Sequence, residues 1–183
     1  MQTIISLVGI ALFIVAAYGD VKSFRIPNLL VATVASLGVV RLIAIGDPSI
    51  AVYTVGGSVA LLIVGFGLFA LGYIGGGDAK LIAAAALLVG YHDLFSFLLF
   101  MGICGALISL ALFAIRKYAP LYAGPRLATL LPKARLAVPY GVAIAFAGSL
   151  TLLFQSPFVA ALLFPHPFTV TLFFQSSLPS FIG

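Results

Sequence analysis

Charge is what this sequence has least of. Asp, Glu, Lys and Arg together make up 7% of its 183 residues and apolar residues 63%, against roughly 25% and 45–50% in soluble domains. That balance excludes a water-soluble fold, and the chain reads as an integral membrane protein. Cysteine is nearly absent as well. Cys104 stands alone, which rules out an intrachain disulfide or a paired-cysteine zinc site; it falls mid-helix without a His partner, so packing is its expected role. His92 and His166 have no ligand cluster around them, and neither a metal nor a cofactor is expected. Glu is missing altogether. Carboxylate chemistry must therefore come from Asp20, Asp47, Asp78 or Asp93.

What is present in abundance is apolar sequence in runs of membrane-spanning length. A span needs about 20 mostly apolar residues, and the runs Thr3–Gly19, Pro27–Gly46, Ile50–Gly72, Ala79–Gly90, Leu94–Ile115 and Ala137–Gln155 give an all-α polytopic bundle of six transmembrane helices. No Lys or Arg precedes the first run, so it is expected to stay as a helix and not to be a cleaved signal peptide. Residues 1–155 form one membrane domain and residues 156–183 a hydrophobic C-terminal tail. In that tail Pro165 and Pro167 divide the apolar run, which makes a seventh span the less favoured reading.

The few basic residues set the topology. Lys22 and Arg25 fall between the first two helices, Lys80 between the third and fourth, and Arg116, Lys117, Arg126, Lys133 and Arg135 in a long loop between the fifth and sixth. Lys and Arg in short loops collect on the cytoplasmic side, so these connections face the cytoplasm and the N-terminus lies outside. Arg41, late in the second helix, is expected to snorkel to the opposite interface. The net charge of +5 is thus largely topological, with a secondary affinity of the 116–135 loop for anionic lipid. Nucleic-acid binding has no further support.

This topology sorts the four acids. Asp47, in "GDPS", suits a tight turn, and Asp93, in "GYHDLF", suits a helix cap. Both lie on the outer side. Asp20 and Asp78 share the cytoplasmic side. Asp78 follows three glycines in "GYIGGGDAKL" and opens a helix of only 12 apolar residues, Ala79–Gly90, about 18 Å long against a hydrocarbon core of about 30 Å. A glycine-rich segment dipping below the surface would place Asp78 within the membrane boundary, where a carboxylate costs about 2.5–3.5 kcal/mol at the centre of a span and less near an interface. The plain alternative is an N-cap of the fourth helix.

Two carboxylates brought close cannot both ionise easily, so one keeps its proton while the other serves as a base. Such a pair can activate water against a peptide carbonyl without metal or covalent intermediate. Asp78 at a helix N-terminus is then expected to be the base, and Asp20 at a helix C-terminus the acid.

At this point the motifs resemble a known family. "GGGD" at Gly75–Asp78 fits the G-x-G-D motif, with Gly75 and Gly77 as its glycines, of the intramembrane aspartyl proteases. An Asp closing the first helix, "FRIPN" at Phe24–Asn28, Lys80 after the motif and "VPYGVAIAFAGSL" at Val138–Leu150 narrow the likeness to the type IV prepilin peptidases. It is similar in particular to their short branch associated with tight-adherence pili, over about residues 1–155. The resemblance implies an aspartic endopeptidase, with Asp20 and Asp78 catalytic, that removes the leader of prepilins or pilin-like proteins at the cytoplasmic face of a bacterial inner membrane. Longer members carry a cysteine-rich zinc module and N-methylate the product; that module is missing here, and methyl transfer is not expected.

The supporting motif residues admit local readings. Pro27 suits the first turn of the second helix, with Asn28 bonding locally. Pro139, Tyr140 and Gly141 either start the sixth helix or offer backbone groups to an extended substrate. Lys80 biases Asp78, holds a substrate carboxylate or anchors its helix. A transporter or channel, or a non-catalytic secretion-system subunit, is the competing class, although no polar chain crosses the bundle.

Overall fold

The computed structural model describes residues 2–23, 26–128 and 140–155. The described residues are helical with no strand: α1 (Gln2–Ser23), α2 (Asn28–Ile45), α3 (Pro48–Ala70), α4 (Gly76–Val89), α5 (Leu94–Ala128) and α6 (Tyr140–Gln155), with a 3₁₀ turn, Tyr91–Asp93, ahead of α5. Four segments are long and apolar enough to cross a bilayer, those of α1, α2, α3 and Tyr91–Ile115. α4 and α6, at 14 and 16 residues, are shorter. The C-terminal tail, Phe24, Arg25 and Pro139 lie outside the described residues.

Large apolar side chains cover the outside: Ile43 is 75% exposed, Phe95 76% and Ile63 68%. In water such a surface would aggregate; in hydrocarbon it is solvated. The interior is built from small residues. Ala79, Ala83, Ala84, Ala85 and Ala86 of α4 are buried, as are Ala143, Ala145 and Ala147 of α6. Without a hydrophobic force between helices in lipid, close backbone approach and hydrogen bonds supply the association. A Cβ on Gly65 of α3 would stand 3.0 Å from that of Ala79, and one on Gly38 of α2 3.0 Å from the backbone of Leu87 and Leu88. Ser58 of α3 is buried and donates to the carbonyl of Ala83 at 2.8 Å. α4 is therefore the central helix, packed by α2, α3 and α6, while α6 packs in turn on α1 and α5.

Two expectations change. The segment from Arg116 to Ala128 continues α5 as helix instead of forming a loop; with 35 residues α5 is about 52 Å long and overshoots a 30 Å core. Arg41 does not simply snorkel. It turns inward, and its Nη1 donates to the carbonyls of Leu88 and Val89 at the end of α4.

Asp47 caps α3, its Oδ1 accepting from the backbone N–H of Ser49 at 2.8 Å. That matches the turn-forming role read from "GDPS".

Candidate active site

Four helix ends meet at one end of the bundle. Lys80 Nζ in the first turns of α4 donates to Asn28 Oδ1 at the start of α2, at 3.3 Å. Ile26, just ahead of α2, has its Cβ 3.5 Å from where a Gly77 Cβ would stand. Asp20, in the last turn of α1, lies against Gly141 at the start of α6. The C-terminus of α1 and the N-termini of α2, α4 and α6 thus surround Asp20 and Asp78, while Asp93 belongs to the opposite end, beside Gln155.

Asp20 is 5% exposed. It is buried because α6 closes over it, and it can do so only without a side chain at position 141: a Cβ there would stand 2.8 Å from Asp20 Cγ and Oδ2 and 2.9 Å from its Cβ. The backbone N–H groups of Gly141 and Val142 face the carboxylate, so orphan donors of the first turn of α6 are spent on it. This offsets the α1 dipole on which the sequence-based division between acid and base relied, since Asp20 meets the positive end of α6 as well as the negative end of α1. Its Oδ2 has no hydrogen-bond partner among the described residues. An unsatisfied buried carboxylate oxygen costs about 1–3 kcal/mol or more, a penalty that marks functional positions.

Asp78 is not the N-cap of α4. Gly75 is, and Asp78 occupies the third position of the helix, just ahead of the apolar stretch from Ala79. From there its carboxylate reaches back to the Gly75 N–H, the return half of a capping box. Burial pushes the Asp78 carboxyl up to about 6, the Asp20 charge adds to the rise, and the Gly75 N–H opposes it.

The two motif glycines are unequal. A Cβ on Gly75 would stand 2.8 Å from Asp78 Oδ2, whereas one on Gly77 meets only Ile26 at ordinary contact distance. Gly75→Ala is expected to fold normally, because the carboxyl can rotate away, yet to lose about 10²-fold in cleavage through displacement of that carboxyl. Gly77→Ala should keep cleavage within the same order of magnitude. Equal loss in both variants, measured as turnover of a pilin-like substrate, would contradict this steric reading.

Among the supporting residues, Tyr140 and Gly141 follow the helix-start reading, whereas Pro27 and Asn28 differ from expectation. Pro27 is the N-cap of α2 and not its first residue, and its carbonyl accepts from Leu30 N at 3.0 Å. Asn28 bonds across to Lys80 instead of locally. The Lys80 ammonium is engaged there, tying α2 to α4. Tyr140 and Gly141 begin α6 as helix, and the free N–H groups of that first turn point to Asp20, not to an extended partner. Val142 and Ile26 escaped notice in the sequence, since a backbone N–H and an aliphatic contact carry no residue-type signal; only the glycine at 141 hinted at a close approach.

A family model described as the type IV leader peptidase family matches residues 7–110, more than half of the chain and inclusive of Asp20 and Asp78. Neither the curated proteins nor the solved structures yield a match. With most of α1, the glycine-led α4 and their two aspartates inside the matched region, the chain belongs to the type IV leader peptidase family.

Proposed function

We propose that this protein is an aspartic endopeptidase of the membrane, cleaving the leader from prepilins or pilin-like proteins with Asp20 and Asp78. The carrying observation is that a buried Asp20 with an unpartnered Oδ2 and an Asp78 that senses its charge stand at the same end of the bundle. In this reading ionised Asp20 takes a proton from water as the water oxygen bonds to the scissile carbonyl carbon. Protonated Asp78 donates to the carbonyl oxygen and supports its developing charge. Collapse of the tetrahedral intermediate returns the carbonyl-oxygen proton to Asp78 and breaks the C–N bond, while the proton taken up by Asp20 goes to the leaving amine. The division reverses the one read from helix dipoles alone, because α6 favours charge on Asp20. Tight-adherence pilins are the substrate class this reading favours, without methyl transfer.

The proposal places the catalytic end on the cytoplasmic side of a bacterial inner membrane, with the N-terminus outside. Lys22 and Lys80 at that end support it through the bias of cytoplasmic connections toward basic residues. Residues 1–155 are the peptidase unit, and 156–183 an appended tail.

The test is cleavage of a purified prepilin by the purified protein in detergent, read by intact mass. A product lacking the leader supports the assignment; an uncut substrate across pH 4 to 9 removes it. The pH profile carries a sign. With Asp78 as the proton-holding member, activity is expected to fall as pH rises through about 6, where it ionises, and a profile that instead rises through that range overturns the division of roles.

A further inference from the structure

The end of α4 away from the aspartates is held by a polar clamp that the chemistry does not use. Arg41 Nη1 of α2 donates to the carbonyls of Leu88 and Val89, the last residues of α4. Gln155 Nε2 of α6 donates to the same Val89 carbonyl at 2.8 Å and to Asp93 Oδ2 at 2.7 Å. The backbone N–H of Tyr91, just past the helix, donates to Thr54 Oγ1 of α3 at 3.2 Å. All three helices that pack α4 thus send a polar side chain to its C-terminal end. A helix leaves four carbonyls unpaired there, which in lipid must find donors inside the protein. The guanidinium also suits the negative end of the dipole.

What this arrangement controls follows from the composition of α4. Five of its eight buried side chains are alanine, so apart from the Ser58 bond to the Ala83 carbonyl and the Lys80–Asn28 contact few features fix how far it slides along its neighbours. The polar grip on its outer end then carries much of the register. Asp78 lies 11 residues before Val89, about 16 Å away along a rigid helix, so a fixed outer end fixes the depth of Asp78 at the inner one. We infer that Arg41 and Gln155 are positioning residues that set the axial register of α4 and through it the alignment of Asp78 with Asp20. The catalytic meaning of this clamp rests on the proposed peptidase reading.

Register can be read without catalysis. The Cβ of Ile26 and the Cβ position of Gly77 are 3.5 Å apart, within the 3.5–4.5 Å of a disulfide. In a Cys104→Ser background, the pair Ile26→Cys and Gly77→Cys is expected to oxidise readily in the full chain. Adding Arg41→Met should slow that oxidation about tenfold, because a slip of one helical turn moves the cysteines apart by about 5.4 Å. In the chain without engineered cysteines, Arg41→Met should lower kcat about 10²-fold with KM nearly unchanged. Arg41→Lys, which keeps a donor at the same carbonyls, should restore most of both readouts. Gln155→Met, which removes one donor, should give a smaller effect of the same kind if Arg41→Met does not fold. Undiminished cross-linking in folded Arg41→Met and Gln155→Met, or a loss of kcat no larger than the loss of folded protein, overturns the inference. Cross-linking that tracks Arg41 in a protein that cuts no prepilin leaves the clamp standing and removes the peptidase reading.

Discussion

Asp78→Asn is expected to abolish cleavage, by about 10³-fold or more, while making the folded protein more resistant to heat at pH 8. Under the proposed mechanism the first effect follows from losing a proton donor in the transition state, a contribution of about 10²–10⁴-fold, together with the alignment of the pair. Asp20→Asn should lose as much, since a pair sharing one proton fails when either member is replaced. The stability effect has a definite sign. A carboxyl pushed up to about 6 by burial and by a neighbouring charge binds its proton more tightly in the folded state than in the unfolded one. It therefore favours folding at pH below the ordinary carboxylate range, and that contribution is lost as pH rises through about 6. At pH 8 the native state holds an ionised Asp78 beside Asp20, and an amide relieves the repulsion. Melting curves of wild type and Asp78→Asn in one detergent should separate at pH 8 and converge by pH 4. If the variant is less stable at pH 8, or still cuts prepilin, the pair does not work as described.

Gly141→Ala carries the second large effect and isolates geometry from chemistry, since no ionisable group is touched. The added methyl would stand within 2.9 Å of Asp20 Cβ, Cγ and Oδ2. Rotation of the carboxyl alone cannot relieve a clash that includes Cβ, so α1 and α6 must part or Asp20 must shift bodily. Displacements of about 1 Å at a reacting group cost about 10²-fold in rate. Turnover should fall by that order in Gly141→Ala, with helical content retained. Full activity in the alanine variant would mean that Asp20 is not held against α6 in the working enzyme.

Which acids would share one end of the bundle was legible from residue types. Asp20 and Asp78 stood out because an apolar chain with four acids offers few choices, and the bias of basic residues put these two on one side. The helices were readable for the same reason: lipid forces backbone groups to pair within each segment. The interactions that refine the picture were not legible. That Gly75 rather than Asp78 caps α4 is a matter of three residues at a helix boundary, beyond the resolution of apolar periodicity. The N–H groups of Gly141 and Val142 belong to the backbone, so nothing in their side chains announces a partner 120 residues earlier. Arg41 looked like an interfacial lysine-like anchor because its carbonyl partners on α4 are likewise invisible in sequence. The continuation of α5 beyond Ile115 was hidden because the apolar run ends there and Arg116, Lys117 and Arg126 mark a connection by charge, which says where a span leaves the lipid and not where its helix stops.

The brevity of α4 is absorbed inside the bundle. At 14 residues it is about 21 Å long, some 9 Å less than an ordinary hydrocarbon slab. Because α2, α3 and α6 enclose it, the shortfall meets protein and not acyl chains, and the lipid-facing helices α1, α2 and α3 keep full spanning length. Acyl-chain length is therefore expected to act on those outer helices and to leave α4 unstrained.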